Sequence, residues 1–138
     1  PESRDTDFTF EDFVRRNNDQ LVAAWGNLVN RVLGFAYKRY NGQVPEIGPA
    51  GLDDADRQIL AEVEAGFETV GELLAAVKLK AAQEEALRLT RATNVYLDGK
   101  SPWKVFKVDP AAAGTSIYVA LRVIDNLKIL FAPFLTFT

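Results

Sequence analysis

The sequence predicts an all-α fold, a helical bundle of about five helices. Apolar residues recur at three-and-four spacing along the long stretches of the chain, which is the period of a helix with one buried face. Prolines and Asn-Gly or Asp-Gly pairs punctuate the junctions between those stretches. No run alternates apolar and polar residues well enough to compete as a strand, so the elements must bury their stripes against one another.

The first helix is expected to begin at Thr9, where Thr9 and Asp12 can form a capping box, with residues 1–8 as a linker from preceding chain. Asn17 and Asn18 are expected to interrupt its first turns. Leu21, Trp25, Leu28, Val32, Phe35 and Ala36 then form an apolar stripe, widened by Val22, Val29, Leu33 and Tyr40. Asn41-Gly42 ends the helix, and Pro45, Gly48, Pro49 and Gly51 make a loop.

Asp53 is the next N-cap, with Asp56 three residues on, and no proline follows before Asp98-Gly99. A single helix of that length would be a rod of roughly 70 Å at 1.5 Å per residue, too long for a small bundle to cover. The chain must fold back, and a turn at Lys78 and Leu79 divides it into helices over 53–77 and 80–98. The second turns Leu87, Thr90, Asn94 and Leu97 inward, and Gly99 stops it. Ser101-Pro102 reads as a cap followed by a proline at the first helical position, opening a short helix over Trp103 to Lys107. Asp109-Pro110 repeats the device. The last helix is apolar around most of its circumference, from Ile117 through Val123 and Leu127 to Ile129 and Leu130, and so belongs in the middle of the bundle. Pro133 is expected to halt it.

The 138 residues, 48% hydrophobic and 25% charged, suit one domain over 1–138 with a sizeable core. With no cysteine, the chain has no disulfide, thiolate metal site or cysteine nucleophile. With no histidine, it lacks the commonest general base and metal ligand. Glu84, Glu85 and the acids between Glu62 and Glu72 do not make a carboxylate-bridged metal bundle, because the Glu-x-x-His partner is impossible here. No Gly-rich phosphate loop, nucleophile elbow or kinase signature occurs. The expectation is a domain that is not itself an enzyme and holds no metal or cofactor. The apolar run Ile129 to Phe137 is too short to span a bilayer and holds Pro133, and the N-terminus carries no basic region followed by an apolar stretch. A soluble, cytoplasmic protein with no membrane partner is expected. The chain starts at Pro1, contains no methionine and stops after an apolar run, so it is read as a piece of something longer.

The net charge of -3 hides a segregation. Glu46, Asp53, Asp54, Asp56, Glu62, Glu64, Glu68 and Glu72 crowd one segment, whereas Arg31, Lys38, Arg39 and then Lys100, Lys104, Lys107 lie in segments almost free of acids. If those two basic segments meet, a patch for phosphates forms. Asn27, Arg31, Gly34 and Lys38 share one side of the long helix; asparagine and arginine suit base edges and phosphates, and Gly34 leaves room for a ligand. The same spacing is also that of an ordinary polar pair on a solvated helix. Trp103, after Pro102 and among Lys100, Lys104 and Lys107, has a base-stacking composition, but an indole there can equally plug the end of the core. Trp25, on the apolar stripe, goes to the core.

Three blocks carry a family resemblance: FVRRNNDQLVAAWGNLVNRVLGFAYKRYNGQVP (Phe13 to Pro45), ALRLTRATNVYLDGKSPWKVFKVDP (Ala86 to Pro110) and the closing YVALRVIDNLKILFAPFLTFT. In order and spacing they resemble the anticodon-binding domain of class I methionyl-tRNA synthetases. GNLVNR fits the G-N-L-x-x-R pattern of that family, while valyl, isoleucyl and leucyl relatives share only the later blocks. TNVYLDG departs from the more usual A-N-x-Y-[LI]-D-E at Gly99. The resemblance implies that Asn27, Arg31, Pro102 and Trp103 face the CAU anticodon of methionine tRNA, initiator and elongator alike, with Lys38, Arg39, Lys100 and Lys104 as candidate phosphate contacts. It implies a catalytic domain in the same chain, which uses ATP to make methionyl adenylate, and a zinc-binding insertion that resides there; the HIGH-like and KMSKS-like signatures of that chemistry are absent from these residues. The alternatives are the equivalent domain of a valyl, isoleucyl or leucyl enzyme, or a helical module that docks a protein. A separation of more than about 20 Å between Trp103 and Arg31, beyond the reach of one RNA loop, would favour the docking module.

Overall fold

A computed structural model describes the backbone of residues 2–135 and the side chains of residues 19–130. Among these residues the chain forms five helices and no strand: α1 (Glu2–Tyr40), α2 (Asp54–Ala75), α3 (Leu79–Lys100), α4 (Pro102–Val105) and α5 (Pro110–Leu135). Helices α2 and α3 form an antiparallel hairpin, α1 packs on α3 and α5, and α5 touches all four others. The helix that is apolar nearly all round thus does take the centre. Ile117, Val119, Ala120, Val123 and Leu127 on α5 are fully buried and meet Leu21, Leu28 and Val32 of α1, Val63 and Val70 of α2, and Leu89 and Leu97 of α3 in one core.

The elements form for local reasons. Asp53 caps α2 reciprocally: its carboxylate accepts from the Asp56 N–H at 2.9 Å, and the Asp56 carboxylate accepts from the Asp53 N–H at 2.9 Å. Asp109 caps α5 through the Ala112 N–H at 3.2 Å. Gly66 lets α2 and α3 approach closely, because a Cβ there would lie 2.4 Å from Leu89 Cδ1.

Several boundaries differ from expectation. Helix α1 begins at Glu2 and runs unbroken through Asn17 and Asn18, so Thr9 and Asp12 lie inside it rather than at its start; their side chains lie outside the described residues. Leu33, expected in the core stripe, is exposed, since it stands about 100° round α1 from the middle of the Leu28, Val32 and Ala36 line. Gly99 does not stop α3; the chain turns at Ser101, which takes a left-handed conformation (φ 44). The Ser101 hydroxyl donates back to the Asp98 carbonyl at 2.8 Å instead of capping α4. Pro133 does not halt α5, which continues to Leu135, since a proline in the last turn forfeits only one backbone bond to the turn before. Ile129 is exposed, on the side of α5 turned away from buried Leu127 and Leu130.

Candidate nucleic-acid interface

The end of α3, the short α4 and the second half of α1 converge. The left-handed turn at Ser101 reverses the chain, buried Pro102 anchors α4, and Trp103 is then held half-buried against the core. Its ring meets Phe35 edge-to-face at 6.3 Å. Phe35 in turn meets Phe106 at 5.8 Å, and Phe106 meets Tyr40 at 5.7 Å, both nearly perpendicular. Tyr40 closes the group by donating its hydroxyl to the Pro110 carbonyl at 3.1 Å, and burial raises its pKa.

Two cations lie on this aromatic group. The Arg31 guanidinium carbon sits 4.6 Å from the centre of the Trp103 ring, and that of Arg39 sits 5.3 Å from the centre of Phe106. Arg31 is oriented by α3: one nitrogen donates to Asn94 Oδ1 at 3.0 Å and the other to Asp98 Oδ1 at 3.1 Å. Asn27, one turn before Arg31, and Lys38, Lys104 and Lys107 are exposed.

The two basic segments therefore meet, and Arg31 and Trp103 are in contact rather than about 20 Å apart. Trp103 packs on Phe35 at the edge of the core and carries the Arg31 guanidinium on its face. Trp25 is partly buried at the edge of the core. Lys100 is the exception among the expected phosphate contacts. Its ammonium is engaged by the Asp53 carboxylate and lies 3.5 Å from Asp56 Oδ1, so it ties α3 to the start of α2. Asp56 is buried and also accepts from the Tyr96 hydroxyl. The hydrogen bond from Lys100 holds the Asp53 carboxyl at a pKa of about 2, while burial, with Asp56 beside it, pushes the Tyr96 phenol well above its ordinary range. A charged lysine spent on two carboxylates has little left for a phosphate.

Sequence reasoning missed Asn94 and Asp98 as partners of Arg31 and Phe106 as the platform for Arg39. Asn94 and Asp98 stand four apart on α3, a spacing that could have drawn attention to them as a pair on one side. Among the described residues no group of three or more acidic side chains is arranged to hold a metal ion, and no helix is long and apolar enough to cross a membrane.

The bundle thus lays two arginines on aromatic rings beside exposed lysines, and comparison with known proteins gives its class. Residues 44–138 match the family described as the anticodon binding domain of methionyl tRNA ligase, and residues 1–33 match that of class I (M) tRNA synthetases. The chain is 59% identical to the methionine–tRNA ligase of Chloroflexus aggregans and 53% identical to that of Thermomicrobium roseum, in each case over all of its length but only 22% and 23% of theirs. Among solved structures, the free Mycobacterium tuberculosis methionyl-tRNA synthetase superposes with a TM-score of 0.79 at 29% identity, covering 89% of this chain and 25% of that one. The form bound by methionyl-adenylate does so with the same score, covering 91% of this chain. The chain belongs to the family of methionyl-tRNA ligase anticodon-binding domains.

Proposed function

We propose that this chain reads the CAU anticodon of methionine tRNA, initiator and elongator alike, for a cytoplasmic ligase whose catalytic body lies in the same chain and joins methionine to tRNA using ATP. The observation that carries the reading is the Arg31 guanidinium on the Trp103 ring, within a chain of this family. Trp103, set by Pro102, offers its indole to an unstacked anticodon base. Asn27 and Arg31 read that base, the amide at its edge and the fork at a carbonyl oxygen or a nearby phosphate. Lys38, Arg39 and Lys104 neutralise phosphates. Lys100 instead holds α3 to α2, for the reason given by its two carboxylate partners. Residues 1–8 join this domain to the catalytic body, residues 2–8 as the first turns of α1, and ATP, with any zinc, belongs to that body. A lone domain of net charge -3 lacks the contacts that the body makes to the rest of the tRNA. Its dissociation constant for tRNA should therefore lie at roughly 10⁻⁴ to 10⁻⁶ M at physiological salt. Titration with RNA stem-loops carrying CAU, a valine anticodon or an isoleucine anticodon tests the assignment. A preference for CAU is expected, and a preference for either of the others would end the methionine reading.

A further inference from the structure

Gly34 is an interior residue of α1, where glycine is less favourable than alanine because it adds backbone freedom to the unfolded chain and no side chain to the folded one. The fold gives no reason for it. A Cβ built on Gly34 has no atom within 4 Å outside its own helix, whereas Gly66 and Gly48 are hemmed in by neighbours, and Gly42 and Gly51 have positive φ. Gly26, Gly71 and Gly99 are equally open, so openness alone singles out nothing. What distinguishes Gly34 is its place. It is exposed, three residues after Arg31 and four before Lys38, hence between them on one side of α1, and it stands seven residues from Asn27 in the same line. It also directly precedes Phe35, the ring on which Trp103 packs.

The helix therefore presents bare backbone between two cations. Arg31 is already partly neutralised by Asp98, which leaves Lys38 as the nearer uncompensated charge on that side. We propose that Gly34 is a contact position for the bound RNA, where the absence of a side chain lets the sugar-phosphate backbone of the loop lie directly against α1 between Arg31 and Lys38. This rests on the anticodon reading above. A methyl group at residue 34 leaves the free domain unhindered and lifts the RNA backbone off the helix, so the lysine and the indole can no longer be reached together.

The test sets stability against binding. Gly34→Ala, Gly34→Leu and, as a control, Gly71→Ala are each measured for melting temperature and for affinity toward a CAU stem-loop. Gly71 lies near the turn of the α2–α3 hairpin, roughly 15–20 Å along the helices from Asn94 and Asp98. Both alanine variants should melt about 3 °C higher than the parent chain. Gly71→Ala should bind as the parent does, Gly34→Ala about tenfold more weakly, and Gly34→Leu more weakly still while remaining folded. Parental affinity in Gly34→Ala and Gly34→Leu overturns the proposal and leaves the anticodon reading intact. A parent chain with no preference for CAU overturns that reading, and the proposal with it.

Discussion

Arg31 lies over the face of Trp103 while its two terminal nitrogens donate to Asn94 and Asp98, so one side chain of α1 ties together the end of α3 and the start of α4. One face of the indole is thus covered by a guanidinium, while the ring packs edge-to-face with Phe35. Three helices must be in register for this arrangement to exist.

Trp103→Ala should weaken binding of a CAU stem-loop by about 1–3 kcal/mol, the worth of one aromatic-base stack. Because the ring is only half-buried but does pack on Phe35, the same change should cost about 2 kcal/mol of stability, less than the roughly 3–5 kcal/mol of a fully buried aromatic. Arg31→Lys should lose binding nearly as badly, since an ammonium cannot serve Asn94 and Asp98 as a planar fork does. It should leave stability within about 0.5–1 kcal/mol, because the Arg31 and Asp98 side chains are 39% and 67% exposed. Calorimetric titration and thermal melts of the two variants separate the effects. Full binding by a folded Trp103→Ala chain would remove the indole from the site.

Lys100 and Lys104 should behave as opposites although both are cations next to the indole. Lys100→Ala strips the ammonium from Asp53 and from buried Asp56, whose side chain is 3% exposed, and should cost about 1–3 kcal/mol of stability in denaturant titrations. Lys104→Ala should melt normally and make RNA binding less salt-dependent, with the slope of log K against log salt reduced by about 0.7, one phosphate's worth for single-stranded RNA. Equal melting of the two variants would contradict the structural role of Lys100.

Acid should weaken the fold partly through Asp53. Its folded pKa of about 2 lies below the ordinary 3.8, so its ionised form contributes stability that is fully present above 3.8 and is lost as pH falls toward 2. Asp53→Asn keeps an oxygen to cap α2 but cannot titrate. Its loss of stability between pH 4 and pH 2 should accordingly be shallower than that of the parent chain, as read from denaturant midpoints across that interval; parallel curves would show that Asp53 does not contribute.

Val77, in the turn between α2 and α3, holds a β-branched side chain at φ 58 and is 84% exposed. The left-handed region costs such a residue roughly 1–2 kcal/mol, with no packing to offset it. Val77→Asn should stabilise the domain by about 1 kcal/mol, raising its melting temperature by about 3 °C, and should leave RNA binding unchanged at the far end of the hairpin. A lower melting temperature would mean that the valine makes a contact worth more than its strain.

The helices and their order are legible in the chain without any tertiary information. The three-and-four spacing of Leu21, Leu28 and Val32, the Asp53 and Asp56 capping pair, and the proline-free stretch that had to fold back are local signals, carried by residues a few positions apart. The central place of α5 was legible for the same reason, in its apolar circumference. The motif residues Asn27, Arg31 and Trp103 were legible only as candidates, because a polar pair on a helix and an indole after a proline look alike whether they face a ligand, solvent or core. Tertiary structure decided among these. Arg31 meets Asn94 and Asp98 across 63 and 67 residues, and Lys100 meets Asp53 across 47, distances at which spacing along the chain carries no information. Packing brought one cation onto an indole and turned another, three residues from that indole, toward a buried carboxylate. Identical charges acquired different roles because burial and partner geometry, which exist only once the helices have docked, set what each charge is free to do.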